Sequence, residues 1–134
     1  MKLIDPDAIA IATIWQEARG EKQQDSRIAV AEVIRTRTVE KYRSDGSVIA
    51  TCLWPLQFSG WNAKDPNRIP SMKLDTVDPF VAACVAAWHT VLAGGSNITK
   101  GADSYVNLGI VIPDWYDPAK VTAVIGSHTF LKLR

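Results

Sequence analysis

The sequence has 134 residues and a mass of 14.7 kDa, which is the size of one domain with a core of its own. Apolar residues make up 47% and charged residues 22%, and this composition excludes a disordered chain. The net charge of +1 does not favour nucleic acid or an anionic membrane as a partner. We expect a single domain over residues 1–134, since no repeat or linker divides the chain.

A signal peptide is not expected, because acidic residues interrupt Met1–Asp7 before an apolar segment could form. No later apolar run has the roughly 20 residues that span a bilayer. The sequence therefore predicts a protein that is made in the cytoplasm and has no stable membrane insertion. A substrate outside the cytoplasm would need another route of delivery.

The first predicted helix begins near Asp5-Pro6-Asp7, where an acid can cap the helix and proline suits its first turn, and it stops at Gly20. Apolar side chains cover most of its circumference. The remaining narrow strip holds Thr13, Gln16 and Glu17. We expect a largely buried helix with Glu17 at the edge of its polar strip.

A second buried helix is predicted from Asp25-Ser26 to about Val39, with a thin polar strip of Glu32, Arg35 and Thr36. A buried helix of this kind either lines a cleft or packs against a polar loop. The sequence pattern is the same in both cases.

Residues 40–77 are predicted to form a loop with one short helix near Ser47–Cys52. The segment is rich in aromatic residues, including Trp54, Phe58 and Trp61. Such rings either stack on sugar faces or form a small core under the loop. We favour a groove position for Trp61.

The second half begins with a helix from Asp78-Pro79 to about Ala93, since an acidic cap precedes proline and Gly94-Gly95 follows. Ser104–Asn107 and His128–Lys132 are predicted to be extended. The sequence therefore predicts an α+β, helix-dominated fold with a small β element late in the chain.

Cysteine and histidine are too few and too scattered for a metal site, and we expect neither a metal nor another cofactor. Cys52 and Cys84 are far apart, and two buried free thiols are favoured over a disulfide. His128 lies in a predicted strand, where a structural role is more common than a catalytic one.

Glu17 is the strongest candidate for a catalytic residue. A carboxylate in the last turn of a helix faces the negative end of the helix dipole, and apolar neighbours raise its pKa further. A carboxylic acid that stays protonated near neutral pH can protonate the leaving oxygen of a glycosidic bond. The alternative is a surface glutamate that pairs with Arg19.

A resemblance to a known family supports the first interpretation. The segment Glu17-Ala18-Arg19-Gly20-Glu21 resembles the Glu-Ala-Arg-Gly-Glu signature of the cell wall hydrolases related to spore cortex-lytic enzyme. Four later segments resemble that family in the same order, and the similarity spans roughly residue 8 to the end. These segments are Ala29–Arg37, Gln57–Ser59, Tyr105–Asn107 and Ile125–Phe130.

The resemblance implies a lysozyme-like domain that cleaves peptidoglycan between N-acetylmuramic acid and N-acetylglucosamine, with Glu17 as the catalytic acid. A lytic transglycosylase needs one carboxylate, whereas hydrolysis needs a second one roughly 5–9 Å away. Glu21, Glu32 and Asp45 are the available second acids, and their spacing marks out none of them. We therefore favour the transglycosylase, with a hydrolytic muramidase as the alternative.

The resemblance also implies contacts to sugar hydroxyl and acetamido groups. The matching positions are Gln57, Ser59, Tyr105 and Asn107, to which we add Trp61 as a stacking residue. Such polar side chains equally serve in turns and at strand edges.

Four residues are predicted to support the site: Arg19, Glu21, Glu32 and His128. A structural role is favoured for Glu21. Glu32 stands where the family usually has a small apolar residue, so it either alters substrate contacts or adds a second acid. Thr36 replaces the usual asparagine, which puts any contact that depends on that asparagine in doubt.

A stand-alone catalytic unit without a signal peptide fits a bacteriophage endolysin that a holin-type pore releases to the wall, and we expect it to be a monomer. Two alternatives remain open. One is a glycan-binding module without activity. The other is an amidase or peptidase that uses Cys52 or Cys84 with His128.

Overall fold

The computed structural model describes residues 5–55 and 57–134, and its first two helices are the buried pair that the sequence predicts. Helix α1 (Pro6–Glu17) begins where the Asp5 carboxylate accepts the Asp7 N–H, with proline in the first turn. Helix α2 (Gln24–Glu40) ends at Lys41, which has a left-handed φ of 56°. The signal-peptide prediction rests partly on residues 1–4, which lie outside the described residues.

The segment between α2 and the next long helix contains more helix than expected. Helix α3 (Val48–Leu53) confirms the predicted short helix, and a 3₁₀ turn (Ser59–Trp61) and helix α4 (Arg68–Ser71) follow it. Both additional elements are shorter than two helical turns, so neither shows a helical period in the sequence. Helix α5 (Pro79–Leu92) is capped by the Asp78 carboxylate, as predicted.

The late β element is an antiparallel three-stranded sheet with the order β1-β3-β2. Strands β1 (Ser104–Val106) and β3 (His128–Leu131) confirm the two predicted extended segments. Strand β2 (Val121–Ile125) was not predicted. Its side chains do not alternate between buried and exposed, and its register with β3 is shifted by an irregularity near its start, so the period-two pattern of a strand is missing.

Helix α2 lies between two apolar clusters. One face packs against α1 and α5 in the main core, which includes Ile14, Val30, Ile34 and Trp88. An adjacent face packs against the sheet in a smaller cluster of Ala29, Val33, Ala102 and Phe130. The sheet is thereby fixed relative to α1, which positions the end of α1 against β1. In the described parts of the chain, no helix is long and apolar enough to cross a bilayer.

Candidate active site

The polar strip of α1 is covered by three different parts of the chain. Thr13 accepts a hydrogen bond of 2.8 Å from the indole nitrogen of Trp61. Gln16 donates one of 2.8 Å to Ser71, at the end of α4. The third member, Glu17, accepts a hydrogen bond from the Tyr105 hydroxyl at Oε1. Only Glu17 therefore meets the sheet, and it does so through Tyr105.

The environment of Glu17 favours its protonated form. Burial raises the pKa of this carboxyl group above its ordinary value, and the negative charge of Asp65 raises it further. The Tyr105 hydrogen bond and the positive charge of Arg37 act in the opposite direction but do not reverse the shift. Glu17 remains partly exposed to solvent. A half-buried carboxyl group with a raised pKa is suited to donate a proton to a bound substrate.

Tyr105 is held by the aromatic face of the sheet. Its ring lies edge-on to His128 with the ring centroids 4.9 Å apart, and the Phe130 ring lies 5.4 Å away. Burial lowers the pKa of His128, and the Glu21 charge opposes this only in part, so the imidazole is neutral near neutral pH. His128 Nδ1 lies 3.7 Å from Glu21 Oε1, which is too long for a hydrogen bond. His128 therefore supports Tyr105 by packing.

A cleft of about 480 Å³ opens beside Tyr105. Its walls come from the end of α2, from strand β1 and from the last residues of the chain. The lining residues are Arg37, Tyr42, Arg43, Gln57, Ser104, Tyr105, Trp115, Leu133 and Arg134. Tyr105 thus connects the cleft to the Glu17 carboxyl group.

A sequence model of the family described as Cell Wall Hydrolase matches residues 20–131. The chain belongs to this family. It is accordingly an enzyme that degrades the peptidoglycan of cell walls. The matched range begins after Glu17, so the match does not itself include the candidate acid. No curated protein matches the sequence.

Two solved structures share the fold of this cell wall hydrolase. The catalytic domain of the Bacillus cereus SleB protein aligns with a TM-score of 0.68 and 22% identity, over 95% of this chain and 90% of the other. The catalytic domain of the germination-specific lytic transglycosylase SleB from Bacillus anthracis aligns with a TM-score of 0.68 and 20% identity, over 95% and 93%. At these identities the likeness confirms the predicted helix-dominated fold.

The predicted substrate-binding residues of the cell wall hydrolase separate into two groups. Gln57 and Tyr105 line the cleft, and Gln57 donates a hydrogen bond of 2.8 Å to the Thr51 carbonyl oxygen. Ser59 is exposed on the 3₁₀ turn outside the cleft lining. Asn107 accepts the Gly109 N–H at 2.9 Å and so forms a turn after β1.

The three aromatic residues of the 54–61 segment also differ in position. Trp54 is exposed, whereas Phe58 is almost fully buried in the main core. Trp61 packs against that core while its indole nitrogen bonds to Thr13, and it is not part of the cleft lining. Any stacking of Trp61 on a sugar stays a prediction.

Three of the predicted supporting residues have structural partners. Arg19 donates to the Asn67 side chain at 2.7 Å, which ties the end of α1 to the loop before α4. Glu21 accepts the Ser127 N–H at 3.0 Å and so holds the turn between β2 and β3. Glu32 is 5% exposed and accepts hydrogen bonds from Ser96, Ile98 and Thr99. These bonds hold the loop after α5 against α2.

The sequence does not predict that the Asp65 carboxylate influences the pKa of Glu17. Asp65 lies near enough for its charge to raise the pKa of Glu17. Asp45, in contrast, is exposed and accepts the Ser47 N–H at 2.8 Å within its own turn. Asp65 is in a loop without a regular period, so no sequence pattern marks it.

The basic lining of the cleft was also missed. Arg37 belongs to the segment that resembles the family's second helix, and Arg43 and Arg134 come from segments with no motif. The cluster exists because the end of α2 and the end of the chain meet beside β1. In residues 5–55 and 57–134, no group of three His, Cys, Asp or Glu side chains is arranged to hold a metal ion.

Proposed function

We propose that the protein cleaves the glycosidic bond between N-acetylmuramic acid and N-acetylglucosamine, with Glu17 as the catalytic acid, and that it acts as a lytic transglycosylase. The observation that carries this proposal is the pairing of Glu17 with Tyr105 at the edge of the cleft. Because the pKa of Glu17 is raised, its carboxyl group stays protonated to higher pH and can donate the proton that the leaving oxygen needs. Membership of the Cell Wall Hydrolase family provides the substrate class.

In the proposed reaction, the Glu17 carboxyl group donates its proton to the oxygen at C4 of N-acetylglucosamine as the bond from that oxygen to muramyl C1 breaks. The C6 hydroxyl of the same muramyl residue then attacks C1. Its proton passes to the Glu17 carboxylate, which restores the acid and leaves a 1,6-anhydro sugar. Tyr105 stabilises the transient carboxylate, because its hydroxyl donates to Oε1.

This route fits the residues around Glu17. Glu21, Glu32 and Asp45 each make structural contacts, and none of them is among the causes of the Glu17 pKa shift. A transglycosylase uses Glu17 first as an acid and then as a base, so it needs no second carboxylate. The solved relative from Bacillus anthracis is named a lytic transglycosylase, which supports the same choice.

The deciding experiment is mass spectrometry of the fragments that purified protein releases from purified peptidoglycan. We expect 1,6-anhydromuramyl products from the wild type and a loss of at least about 100-fold in rate for Glu17→Gln. The matched control is Glu40→Gln at the exposed end of α2, which should keep wild-type activity. An active Glu17→Gln variant would refute the assignment of the acid.

Hydrolysis is the second candidate, and Asp65 is the observation that favours it. The charge of Asp65 raises the pKa of Glu17, so Asp65 is close enough to be the candidate second carboxylate of a muramidase. In that case the products carry reducing muramic acid and are one water heavier, and Asp65→Asn abolishes cleavage. For the transglycosylase we expect Asp65→Asn to retain activity, with a lower pKa of Glu17. A role as a phage endolysin released by a holin stays a prediction from the sequence.

A further inference from the structure

Three arginine side chains surround one aromatic ring at the mouth of the cleft. The guanidinium carbon atoms of Arg37, Arg43 and Arg134 lie 5.6, 5.3 and 3.2 Å from the centroid of the Tyr42 ring. All three arginines and Tyr42 line the same cleft as Tyr105. The ring attracts each cation by its π face, which holds the three charges together despite their mutual repulsion.

These positive charges are balanced only in part. Arg134 lies 3.6 Å from the buried carboxylate of Asp103, which also accepts the backbone N–H groups of Leu133 and Arg134. Arg37 donates its Nε hydrogen to the Asp103 carbonyl oxygen at 2.6 Å. The Arg43 side chain makes no hydrogen bond or ion pair with another described residue. The described lining includes no Asp or Glu side chain, so the cleft has an excess of positive charge, with the Asp103 carboxylate beside Arg134 as its nearest acid.

We propose that this arginine cluster binds a carboxylate carried by the muramyl residue of the substrate, an inference that rests on the proposed function. Every muramyl sugar carries a lactyl ether, which ends in a free carboxylate or continues as a peptide stem with carboxylates of its own. Guanidinium groups match carboxylates in shape and charge, and they bind them through paired hydrogen bonds. The neutral N-acetylglucosamine offers no such group, so the cluster distinguishes the two sugars of the strand.

The position of the cluster fits this occupant. Arg37 is close enough for its charge to lower the pKa of Glu17. An anion near Arg37 is therefore also near the scissile bond, which is where the muramyl substituent must lie when muramyl C1 reacts. Such an anion offsets the Arg37 charge at Glu17 and so favours the protonated acid. Binding of the substrate carboxylate is therefore expected to raise the pKa of Glu17.

The first test compares three substrates: native peptidoglycan, the same material after its carboxylates are converted to amides, and strands whose stems an amidase has removed. We expect the wild type to cleave native material roughly tenfold faster than amidated material. Arg43→Gln should lose this preference, whereas Arg35→Gln, an exposed arginine of α2 outside this cleft, should keep it. Equal rates on native and amidated material by the wild type would overturn the proposal.

The stripped strands identify which carboxylate is bound, because the amidase removes the stem with its carboxylates and frees the lactyl carboxylate, which the stem blocks as an amide in native material. A rate at least equal to that on native material shows that the lactyl carboxylate is accepted at the site, and a rate as low as that on amidated material assigns the site to the carboxylates of the stem. Both outcomes support a carboxylate site.

A binding measurement separates this inference from the proposed function. Glu17→Gln protein is titrated with N-acetylmuramic acid and with N-acetylglucosamine, and the indole signal of Trp115 is followed by NMR. We expect binding of the acid that weakens with added salt and is lost in Glu17→Gln/Arg43→Gln, with no response to the neutral sugar. Binding without any cleavage of the three substrates would refute the proposed function alone. If N-acetylmuramic acid shows no salt-dependent binding and the wild type cleaves native and amidated material at equal rates, the arginine site alone is refuted.

Discussion

The Tyr105 hydroxyl donates a hydrogen bond to Oε1 of Glu17, across 88 positions of sequence. This contact joins the end of α1 to the first strand of the sheet. It lowers the pKa of a carboxyl group that burial would otherwise raise further. Tyr105 therefore helps to hold the candidate catalytic acid in position and limits the rise in its pKa that burial causes.

Tyr105→Phe should raise the pKa of Glu17, because the variant loses a hydrogen bond that favours the charged form. The alkaline limb of the pH–rate profile should move to higher pH. We expect the maximal rate to fall roughly 10- to 100-fold, since the carboxyl group loses its orientation. Tyr116→Phe is the matched control, and a profile that stays in place in Tyr105→Phe would contradict the assigned role.

Glu17→Gln should stabilise the protein at alkaline pH relative to the wild type. The folded-state pKa of Glu17 is raised, so its favourable contribution is complete below the unfolded pKa and is lost as pH rises through the folded value. Glutamine cannot ionise and avoids this loss. Thermal unfolding from pH 4 to pH 9 should show a difference in Tm that grows with pH; a constant difference would argue against a buried ionisable acid.

Glu32→Gln should destabilise the fold without changing the chemistry. Burial alone would raise the pKa of Glu32, but hydrogen bonds from Ser96, Thr99 and Ile98 outweigh it and hold the pKa below its usual value. The stabilising contribution is present above the unfolded pKa and is lost as pH falls. We expect a loss of about 1–3 kcal/mol at neutral pH by urea unfolding. A specific activity near zero in folded Glu32→Gln protein would instead support a second acid.

Gly60→Ala should destabilise the 3₁₀ turn beside α1. A Cβ atom at Gly60 would lie 2.6 Å from Cδ and 2.8 Å from Cβ of Gln16. The Gln16 Cβ is fixed by the helix backbone, so the turn itself must move. We expect a cost of about 1–3 kcal/mol in urea unfolding. Ser59→Ala, at the exposed neighbouring position, serves as the control and should be near neutral.

Thiol reagents should leave the native protein unmodified and active. Cys52 and Cys84 are buried free thiols, and burial raises the pKa of each to about 12. The reactive thiolate is therefore almost absent at neutral pH. Mass spectrometry after iodoacetamide treatment should detect no label on folded protein and two labels on unfolded protein. Rapid inactivation would revive a cysteine-dependent amidase.

The local chemistry of the sequence was sufficient to predict the main helices and the position of Glu17 at the end of α1. Capping by Asp5 and Asp78 and the apolar faces of α1, α2 and α5 determine where these helices form, because these signals act between residues a few positions apart. The narrow polar strip of α1 placed Glu17 at a boundary between core and solvent. The two thiols were likewise correctly expected to be free and buried.

The partners of Glu17 were decided by the tertiary structure. The negative charge of Asp65 raises the pKa of Glu17 from an irregular loop, and Arg37 and Arg134 meet around Tyr42 because the end of α2 lies beside the last residues of the chain. Strand β2 exists through its pairing with β3 and lacks a pattern of its own. Local periodicity reports which face of an element is buried, whereas contacts between distant segments depend on how those faces pack together. The sequence by itself therefore determined that Glu17 ends a buried helix, and the packing of α1, α2 and the sheet determined which groups surround its carboxyl.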